Sequence, residues 1–255
     1  MIMSKLEETL YPIALKYPQE LKNVQLADIK RTAFHLNLIT AQLGKNKTVC
    51  DLGGGVGLFS IGCAALGMKS ILVDDFQDQV NQQFGDSIFA LHHTYGVEII
   101  SRDLIAQGLN FPPGSIDAIT SFDSMEHWHH SPKKLFAKVM ETLTPGGLFI
   151  LGLPNCVNLR KRITVPFGFG KWSAMEDWYE SEVFRGHVRE PDVDDLRYIA
   201  RDMGLVNVKI YGRNWLGYIS PNRVIKWASS VADSLIQINP ALCSNIYVVG
   251  NKPAS

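Results

Sequence analysis

Residues 49–60 read VCDLGGGVGLFS, and this stretch decides the fold of the 255-residue chain. An apolar run ends at Asp51, four glycines follow within five positions, and an apolar stretch then resumes. Glycine permits positive φ angles and lets the backbone approach a ligand closely. A strand, a glycine turn and a helix in this order predict a ligand site at the carboxyl end of a strand in an α/β sheet.

The pattern on either side of this stretch predicts the rest of the architecture. Short β-like runs alternate with helical segments, and parallel strands need such crossover connections. We predict a Rossmann-like, seven-stranded, mostly parallel sheet with helices on both faces and an antiparallel last strand. The predicted strands are 47–52, 70–74, 97–101, 116–122, 147–153, 206–212 and 244–250, and the main predicted helices are 57–67, 78–94, 132–143 and 193–204.

Two regions lie outside this alternation. Residues 1–45 are predicted to form an N-terminal helical cap over the cofactor edge, and residues 46–255 form the main domain. Within that domain, residues 154–192 are rich in Gly, Arg, Lys and aromatic residues, and we interpret them as a lid insertion.

The composition of the chain bears on which partners it binds and where it is located. Lys plus Arg and Asp plus Glu are both 25, so no overall field attracts nucleic acid or an anionic membrane. The four cysteines form no CxxC pair, which favours reduced thiols in a cytosolic protein. No run reaches the roughly 20 apolar residues that span a bilayer, and no signal peptide is recognised at the N-terminus. We therefore expect a cytoplasmic protein, with nucleic acid disfavoured as a partner.

The glycine turn is compatible with two classes of cofactor. A dinucleotide fingerprint places a third glycine where this chain has Leu58, and a carboxylate at Asp51 would repel a pyrophosphate but tolerate a cation. Acids at the end of the second strand accept hydrogen bonds from ribose hydroxyls. S-adenosylmethionine, a sulfonium without phosphates, fits these demands. The predicted cofactor-binding residues are Asp51, Gly53, Gly55, Asp74 and Asp75, and the choice between the last two stays open.

Here the sequence resembles the class I S-adenosylmethionine-dependent methyltransferases over residues 47–155. The segments that carry the resemblance are VCDLGGGVG, ILVDD, SRDL, FPPGSIDAITSFDSMEHWHHSPKKLF and LTPGGLFILGLPN. The resemblance implies that Asp103 approaches the adenine and that Phe122, at the end of the fourth strand, lies beside the methyl donor. The C-terminal part looks like a branch associated with modification of sugars and cell-envelope polysaccharides.

The segment FDSMEHWHH holds the candidates for catalysis. Asp123, Glu126 and His127 are spaced i, i+3, i+4, so a helical turn would place them on one face. The pattern resembles the metal-binding set of ubiquinone-biosynthesis O-methyltransferases and small-RNA 2′-O-methyltransferases, and His187 can complete a mixed oxygen and nitrogen shell. Three interpretations stay open: a divalent metal bound by these four residues, a metal-free His base, and a structural role in which Glu126 faces free N–H groups at a helix start and His127 packs beside the cofactor.

These features together predict a methyltransferase that acts on a hydroxyl oxygen of a small-molecule or glycan acceptor, with Glu126, His127 and His187 as catalytic residues. The alternatives are a non-catalytic binding subunit with the same fold and a nicotinamide-dependent oxidoreductase. An apolar stripe within residues 221–238 can cover a core, or contact a membrane surface or a second protomer.

Overall fold

A computed structural model of the chain describes residues 3–169, 173–215, 222–224, 233 and 235–254. The chain divides into two compact units. The first comprises Met1–Ser121, Lys133–Phe149 and Asn251–Ser255, and the second comprises Phe122–Pro132 and Ile150–Gly250.

Seven strands form one sheet in the order β3-β2-β1-β4-β5-β7-β6. The strands are β1 (Thr48–Leu52), β2 (Lys69–Asp74), β3 (Glu98–Ser101), β4 (Ile116–Phe122), β5 (Leu143–Pro154), β6 (Val206–Arg213) and β7 (Asn245–Asn251). The pairings of β1 with β2, β1 with β4 and β2 with β3 are parallel. Strand β7 runs antiparallel to β5, because Gly147 near the start of β5 bonds to Lys252 whereas Asn155 just after its end bonds to Ser244.

The helices of the described residues lie between the strands and before them. They are α1 (Lys5–Ala14), α2 (Gln19–Thr40), α3 (Leu58–Ala65), α4 (Gln79–Thr94), α5 (Leu104–Gln107), α6 (Lys133–Thr142), α7 (Leu159–Thr164), α8 (Met175–Tyr179) and α9 (Val193–Asp202). Short 3₁₀ helices cover Met125–His127, Val165–Phe167 and Pro240–Leu242.

In the first unit, the N-terminal helices pack against the helix that follows the glycine turn. Gly62 of α3 lies so close to α1 and α2 that a Cβ atom there would be 2.8 Å from Leu36 Cδ1 and 3.1 Å from Leu10 Cδ2. Leu10 and Leu36 are completely buried. Burial of these apolar side chains holds α3, and with it the end of the turn, in place.

In the second unit, the carboxyl-terminal half of β5 packs against β7 through a close aromatic contact. A Cβ atom on Gly152 would lie 2.4 Å from Tyr247 Cδ1 and 2.8 Å from Phe122 Cδ1. The absence of a side chain at position 152 therefore makes room for both rings. Helix α9 begins with a capping box between Asp192 and Asp195, which satisfies backbone N–H groups at its start.

The predicted fold class is confirmed, including the antiparallel last strand. Strand β5 is longer than predicted, beginning at Leu143, since the PGG turn is part of the strand rather than its start. All four cysteines are free thiols. Among the helices that the structure describes, none is long and apolar enough to cross a membrane. Most of the stripe within residues 221–238 lies outside the described residues.

Candidate functional site

The glycine turn joins β1 to α3 in the conformation that its sequence predicts. Gly53 and Gly55 have φ angles of 71° and 50°, which only glycine adopts without strain. The Gly53 N–H donates to Val73 O at 2.8 Å, and the Gly57 N–H donates to Gly54 O at 3.0 Å. The backbone therefore turns sharply at the carboxyl end of β1, where open α/β sheets bind their ligands.

Asp51 supports this turn from inside. Its side chain is buried, and its two carboxylate oxygens accept hydrogen bonds from Thr120 Oγ1 at 2.8 Å and Ser60 Oγ at 3.1 Å. Burial raises the pKa of Asp51 to about 7, although both hydrogen bonds favour the ionised form. A Cβ atom on Gly54 would lie 2.1 Å from Asp51 Oδ2. The Asp51 carboxylate can therefore occupy this place only because residue 54 has no side chain.

Asp74 is the acid at the end of β2 that contacts the glycine turn. Its Oδ2 accepts a hydrogen bond from the Gly55 N–H at 2.9 Å, and its Oδ1 accepts one from the Phe76 N–H at 2.8 Å. Burial raises the pKa of Asp74 to about 6. Asp75 instead accepts a hydrogen bond from the Gln77 N–H at 2.9 Å. Of the two neighbouring acids, Asp74 thus accepts a hydrogen bond from the Gly55 N–H of the turn.

Two residues near this acid were missed by the sequence analysis. Phe76 adopts a φ of 55°, which is rare for an aromatic residue, and its ring packs edge-on against Phe89 at 4.8 Å between centroids. Asn81 is buried on α4, and its Nδ2 would lie 3.7 Å from a Cβ atom on Gly55. No local sequence signal distinguishes either residue, because both positions depend on how α4 packs behind the turn.

The remaining predicted cofactor residues lie at the ends of other elements. Asp103 caps α5, and its Oδ1 accepts hydrogen bonds from the N–H groups of Ile105 and Ala106, both at 2.9 Å. Phe122 is the last residue of β4, and its ring lies 6.2 Å from that of Tyr247. The structure places Asp51, Gly53, Gly55 and Asp74 together around one turn in the first unit.

In the second unit, Glu126, His127 and His187 form a compact cluster. One carboxylate oxygen and one nitrogen from each ring all lie within 4.8 Å of one another. The two rings meet edge-on, 4.9 Å apart, and His187 Nε2 lies 4.0 Å from Glu126 Oε1. The N–H groups of Val188 and Arg189 both donate to the carbonyl of Glu126 and so bring the two segments together.

Hydrogen bonds fix the orientation of both imidazole rings and identify the donor nitrogen of each. His127 Nδ1 lies 2.8 Å from Arg185 O, and His187 Nδ1 lies 2.7 Å from Glu190 Oε1. A carbonyl and a carboxylate only accept, so each Nδ1 donates, and Nε2 of either ring offers a lone pair when that ring is neutral. Burial lowers the pKa of His127, which favours its neutral form.

Glu190, which the sequence analysis also missed, connects this cluster to α7. It bonds to His187 and forms an ion pair with Lys161. Partial burial alone raises the pKa of Glu190, but the hydrogen bonds from His187 and Lys161 bring it below its usual range. The spacing of His187 and Glu190 in GHVRE is the only sequence signal for this pair.

Asp123 is not a member of the cluster. The expected helical face does not extend to it, because Asp123 has a φ of 48° and the helical turn covers only Met125–His127. The Asp123 N–H donates to Gly152 O, and its Oδ1 accepts a hydrogen bond from Asn245 at 3.2 Å. The structure thus brings together three of the four residues that the spacing suggested as metal ligands.

Comparison with known proteins decides the family. Residues 25–210 match the family model of the methyltransferase domain, which is well over half of the chain. The chain belongs to the methyltransferase-domain family. No curated protein matches the sequence. The prediction of a class I methyltransferase is therefore confirmed at the level of family and fold.

Solved structures of methyltransferases share this fold at low sequence identity. A phosphoethanolamine N-methyltransferase 2 from Haemonchus contortus, in complex with S-adenosyl-L-methionine, is 16% identical with a TM-score of 0.60; the alignment covers 98% of this chain and 60% of that one. The chain thus spans less than two thirds of the Haemonchus protein. A SAM-dependent methyltransferase from Archaeoglobus fulgidus is 18% identical with a TM-score of 0.55, covering 88% of this chain and 93% of that one. A possible histamine N-methyltransferase from Thermotoga maritima is 16% identical, with a TM-score of 0.58 and coverage of 95% and 99%.

Proposed function

We propose that this methyltransferase transfers a methyl group from S-adenosylmethionine to a hydroxyl oxygen of a small-molecule or glycan acceptor. Nucleic acid is not the acceptor in this proposal. The observation that carries it is the cluster of Glu126, His127 and His187, with both Nδ1 atoms engaged as donors. Membership of the family supports methyl transfer, and the cluster supports oxygen as the acceptor atom.

The first unit supplies the groups that this cofactor needs. The backbone turn at Gly53 and Gly55 admits a ligand without side-chain obstruction, and Asp74 offers carboxylate oxygens for the ribose hydroxyls. We assign the ribose to Asp74 rather than Asp75, since Asp74 is the acid that bonds to the turn. Asp103, in the same unit, remains the proposed neighbour of the adenine. Phe122, the proposed neighbour of the methyl donor, belongs to the second unit.

A hydroxyl acceptor must lose its proton as the methyl group is transferred, and a positioned base within reach can take it. A neutral imidazole whose Nδ1 donates elsewhere presents Nε2 as that base. Glu190 holds His187 in this tautomer, and the Arg185 carbonyl does the same for His127. The proton then moves from the acceptor oxygen to an Nε2 atom, and the resulting imidazolium is stabilised by the buried carboxylate of Glu126.

The same three side chains fit a divalent metal. One oxygen and two nitrogen donors within 4.8 Å form a mixed set that suits Mn²⁺, Zn²⁺ or Fe²⁺ better than Mg²⁺. Both rings also show the hydrogen bonds from Nδ1 that orient ligating histidines in metal sites. We propose Glu126, His127 and His187 as the ligands of such a metal, which would lower the pKa of a bound hydroxyl. Asp123 is left out, because it bonds to Asn245 instead.

The proposal is tested with ¹³C-methyl-labelled S-adenosylmethionine and a panel of sugar, glycolipid, quinone and amine acceptors. We expect methyl incorporation on oxygen, identified by the carbon shift of the new methyl group in NMR spectra. Incorporation on nitrogen alone would overturn the choice of acceptor atom. If no acceptor is methylated although the cofactor binds, the protein is better described as a non-catalytic binding subunit. Binding of NADH in its place would favour an oxidoreductase.

The role of the cluster is tested by substitution. Glu126→Gln and His127→Ala should abolish turnover while the affinity for S-adenosylhomocysteine stays within a few-fold, since the cofactor turn lies on other residues. His130→Ala is a matched control, because His130 is exposed in the same segment and should retain activity.

The metal is tested separately by elemental analysis of the purified protein and of the His187→Ala variant. We expect one equivalent of metal in the wild type and much less in the variant. If the wild type holds none and a chelator leaves the rate unchanged, the metal is excluded and the base remains.

A further inference from the structure

A second surface of the molecule combines basic and apolar side chains. It consists of residues 158–169, which include α7 and the 3₁₀ helix Val165–Phe167, and we call it the basic-apolar segment. Three of its apolar side chains are largely exposed: Ile163 at 58%, Phe167 at 75% and Phe169 at 69%. Such a concentration of exposed large apolar groups marks an interaction site rather than ordinary surface.

Local hydrogen bonds hold the backbone that carries these exposed side chains. Asn158 caps α7 by accepting a hydrogen bond from the Lys161 N–H at 3.0 Å, and Asn158 itself is buried. The Gly168 N–H donates to Val165 O at 2.9 Å, and the Phe169 N–H donates to Thr164 O at 3.1 Å. Gly168 allows this reversal with a φ of 84°. Phe167 and Phe169 therefore stand exposed on either side of a closed turn.

The charge of this region has a single sign. Between positions 142 and 175 the sequence contains four basic residues and no acidic residue, although the whole chain is neutral. Arg160 and Arg162 are exposed on α7. On the exposed side of the segment, Arg160 and Arg162 therefore place two positive charges next to exposed apolar side chains.

The inner side of the segment is anchored to the protein. Lys161 is only 11% exposed and forms an ion pair with Glu190, and Arg162 Nε donates to Val157 O at 2.6 Å. Lys161 therefore faces inward while Arg160, Ile163 and Phe167 face outward. Because Glu190 also bonds to His187, the segment connects through two contacts to the cluster described above.

We propose that the basic-apolar segment docks the protein on the surface of an anionic phospholipid bilayer. Aromatic and aliphatic tips enter the boundary between headgroups and acyl chains, while neighbouring arginines are attracted by anionic headgroups. Both kinds of group are present here within one turn. A nucleic acid would use the charge but would leave Ile163 and Val165 without apolar partners. This inference does not depend on the chemistry of methyl transfer.

The test is co-sedimentation of the full chain with sucrose-loaded vesicles. We expect binding to vesicles with about 30% phosphatidylglycerol, weaker binding to pure phosphatidylcholine, and a loss of binding as the salt concentration rises. The double substitution Phe167→Ser and Phe169→Ser should lower the partition coefficient by roughly tenfold or more. Arg160→Gln, which removes a charge without removing an apolar tip, should lower it about fivefold.

Two substitutions outside the segment serve as controls. Tyr198 is 63% exposed on α9, so Tyr198→Ser removes a comparable aromatic group, and Arg201→Gln removes an exposed charge from the same helix. Both should bind like the wild type, and circular dichroism should show every variant folded. The proposal is overturned if the wild type does not sediment with anionic vesicles, or if the segment variants bind vesicles as well as the controls. It is also overturned if the protein binds a short RNA through this segment and does not bind vesicles.

Discussion

The affinity for S-adenosylhomocysteine should depend on pH through Asp74. This ligand lacks the sulfonium charge, so attraction between that cation and the acids of the site does not add to the pH dependence of its binding. Burial raises the pKa of Asp74 to about 6 in the protein alone. A carboxylate accepts hydrogen bonds from both ribose hydroxyls only when it is ionised, so binding favours the form that predominates above pH 6. Affinity is therefore present at neutral pH and is lost as the pH falls below 6.

The size of the effect follows from this pKa. With a pKa near 6, about 97% of Asp74 is ionised at pH 7.5 and about 9% at pH 5, so the apparent dissociation constant should rise roughly tenfold, or about 1.4 kcal/mol. The Asp74→Asn variant should lose most of this rise, and any remainder reports the titration of Asp51, whose pKa is about 7. At pH 7.5 it should bind roughly tenfold to a hundredfold more weakly than the wild type, because hydrogen bonds to a charged group contribute about 1.5–3 kcal/mol.

Isothermal titration calorimetry at several values between pH 5 and pH 7.5 measures this dependence. Asp75→Asn is the matched control, since its carboxylate bonds to Gln77 rather than to the glycine turn. It should keep the affinity at pH 7.5 and a pH dependence of similar size, with a midpoint at slightly lower pH because the Asp75 charge contributes to the raised pKa of Asp74. The reasoning is refuted if Asp74→Asn retains the wild-type pH dependence, or if the Asp75 variant loses it.

Two further predictions concern the stability of the glycine turn. Gly54→Ala places a Cβ atom 2.1 Å from Asp51 Oδ2 and 2.9 Å from Leu72 Cδ1, so it should lower the free energy of unfolding by about 1–3 kcal/mol in urea titrations. Gly44→Ala, where a Cβ atom would meet nothing within 4 Å, should have little effect, and equal losses in the two variants would contradict the steric argument. Thr120→Val removes the 2.8 Å hydrogen bond to Asp51 while keeping the shape of the side chain, and should cost about 1–3 kcal/mol at pH 8. The missing hydrogen bond matters most while Asp51 is ionised, and Asp51 becomes protonated below pH 7. The loss of unfolding free energy relative to the wild type should therefore shrink below pH 7. A loss that does not change with pH would refute this role of the carboxylate.

Much of the fold could be predicted from local patterns. The apolar runs that became β1, β2 and β4 are buried on both faces, and two of the four glycines of the turn, Gly53 and Gly55, have the positive φ angles that the sequence suggested. These features depend on side-chain periodicity and on backbone freedom, which neighbouring residues alone determine.

For the candidate site, the sequence indicated which residues to consider but not which of them contact one another. In the structure the Asp74 carboxylate accepts a hydrogen bond from the Gly55 N–H. The sequence places two acids side by side and does not specify which of them makes this contact. Asp123 matched the i, i+3, i+4 pattern, yet its left-handed backbone separates it from the helical turn of Glu126 and His127.

The sequence by itself determined the order of the strands and main helices along the chain, the position of the glycine turn and the resemblance to a family, because each depends on short-range patterns. Only the tertiary structure decided that His187, 60 positions after His127, meets it at 4.9 Å, and that Glu190 orients the ring. Contacts between distant segments depend on the packing of the whole unit around them, so they arise from the sum of many burial and hydrogen-bond energies rather than from any local motif.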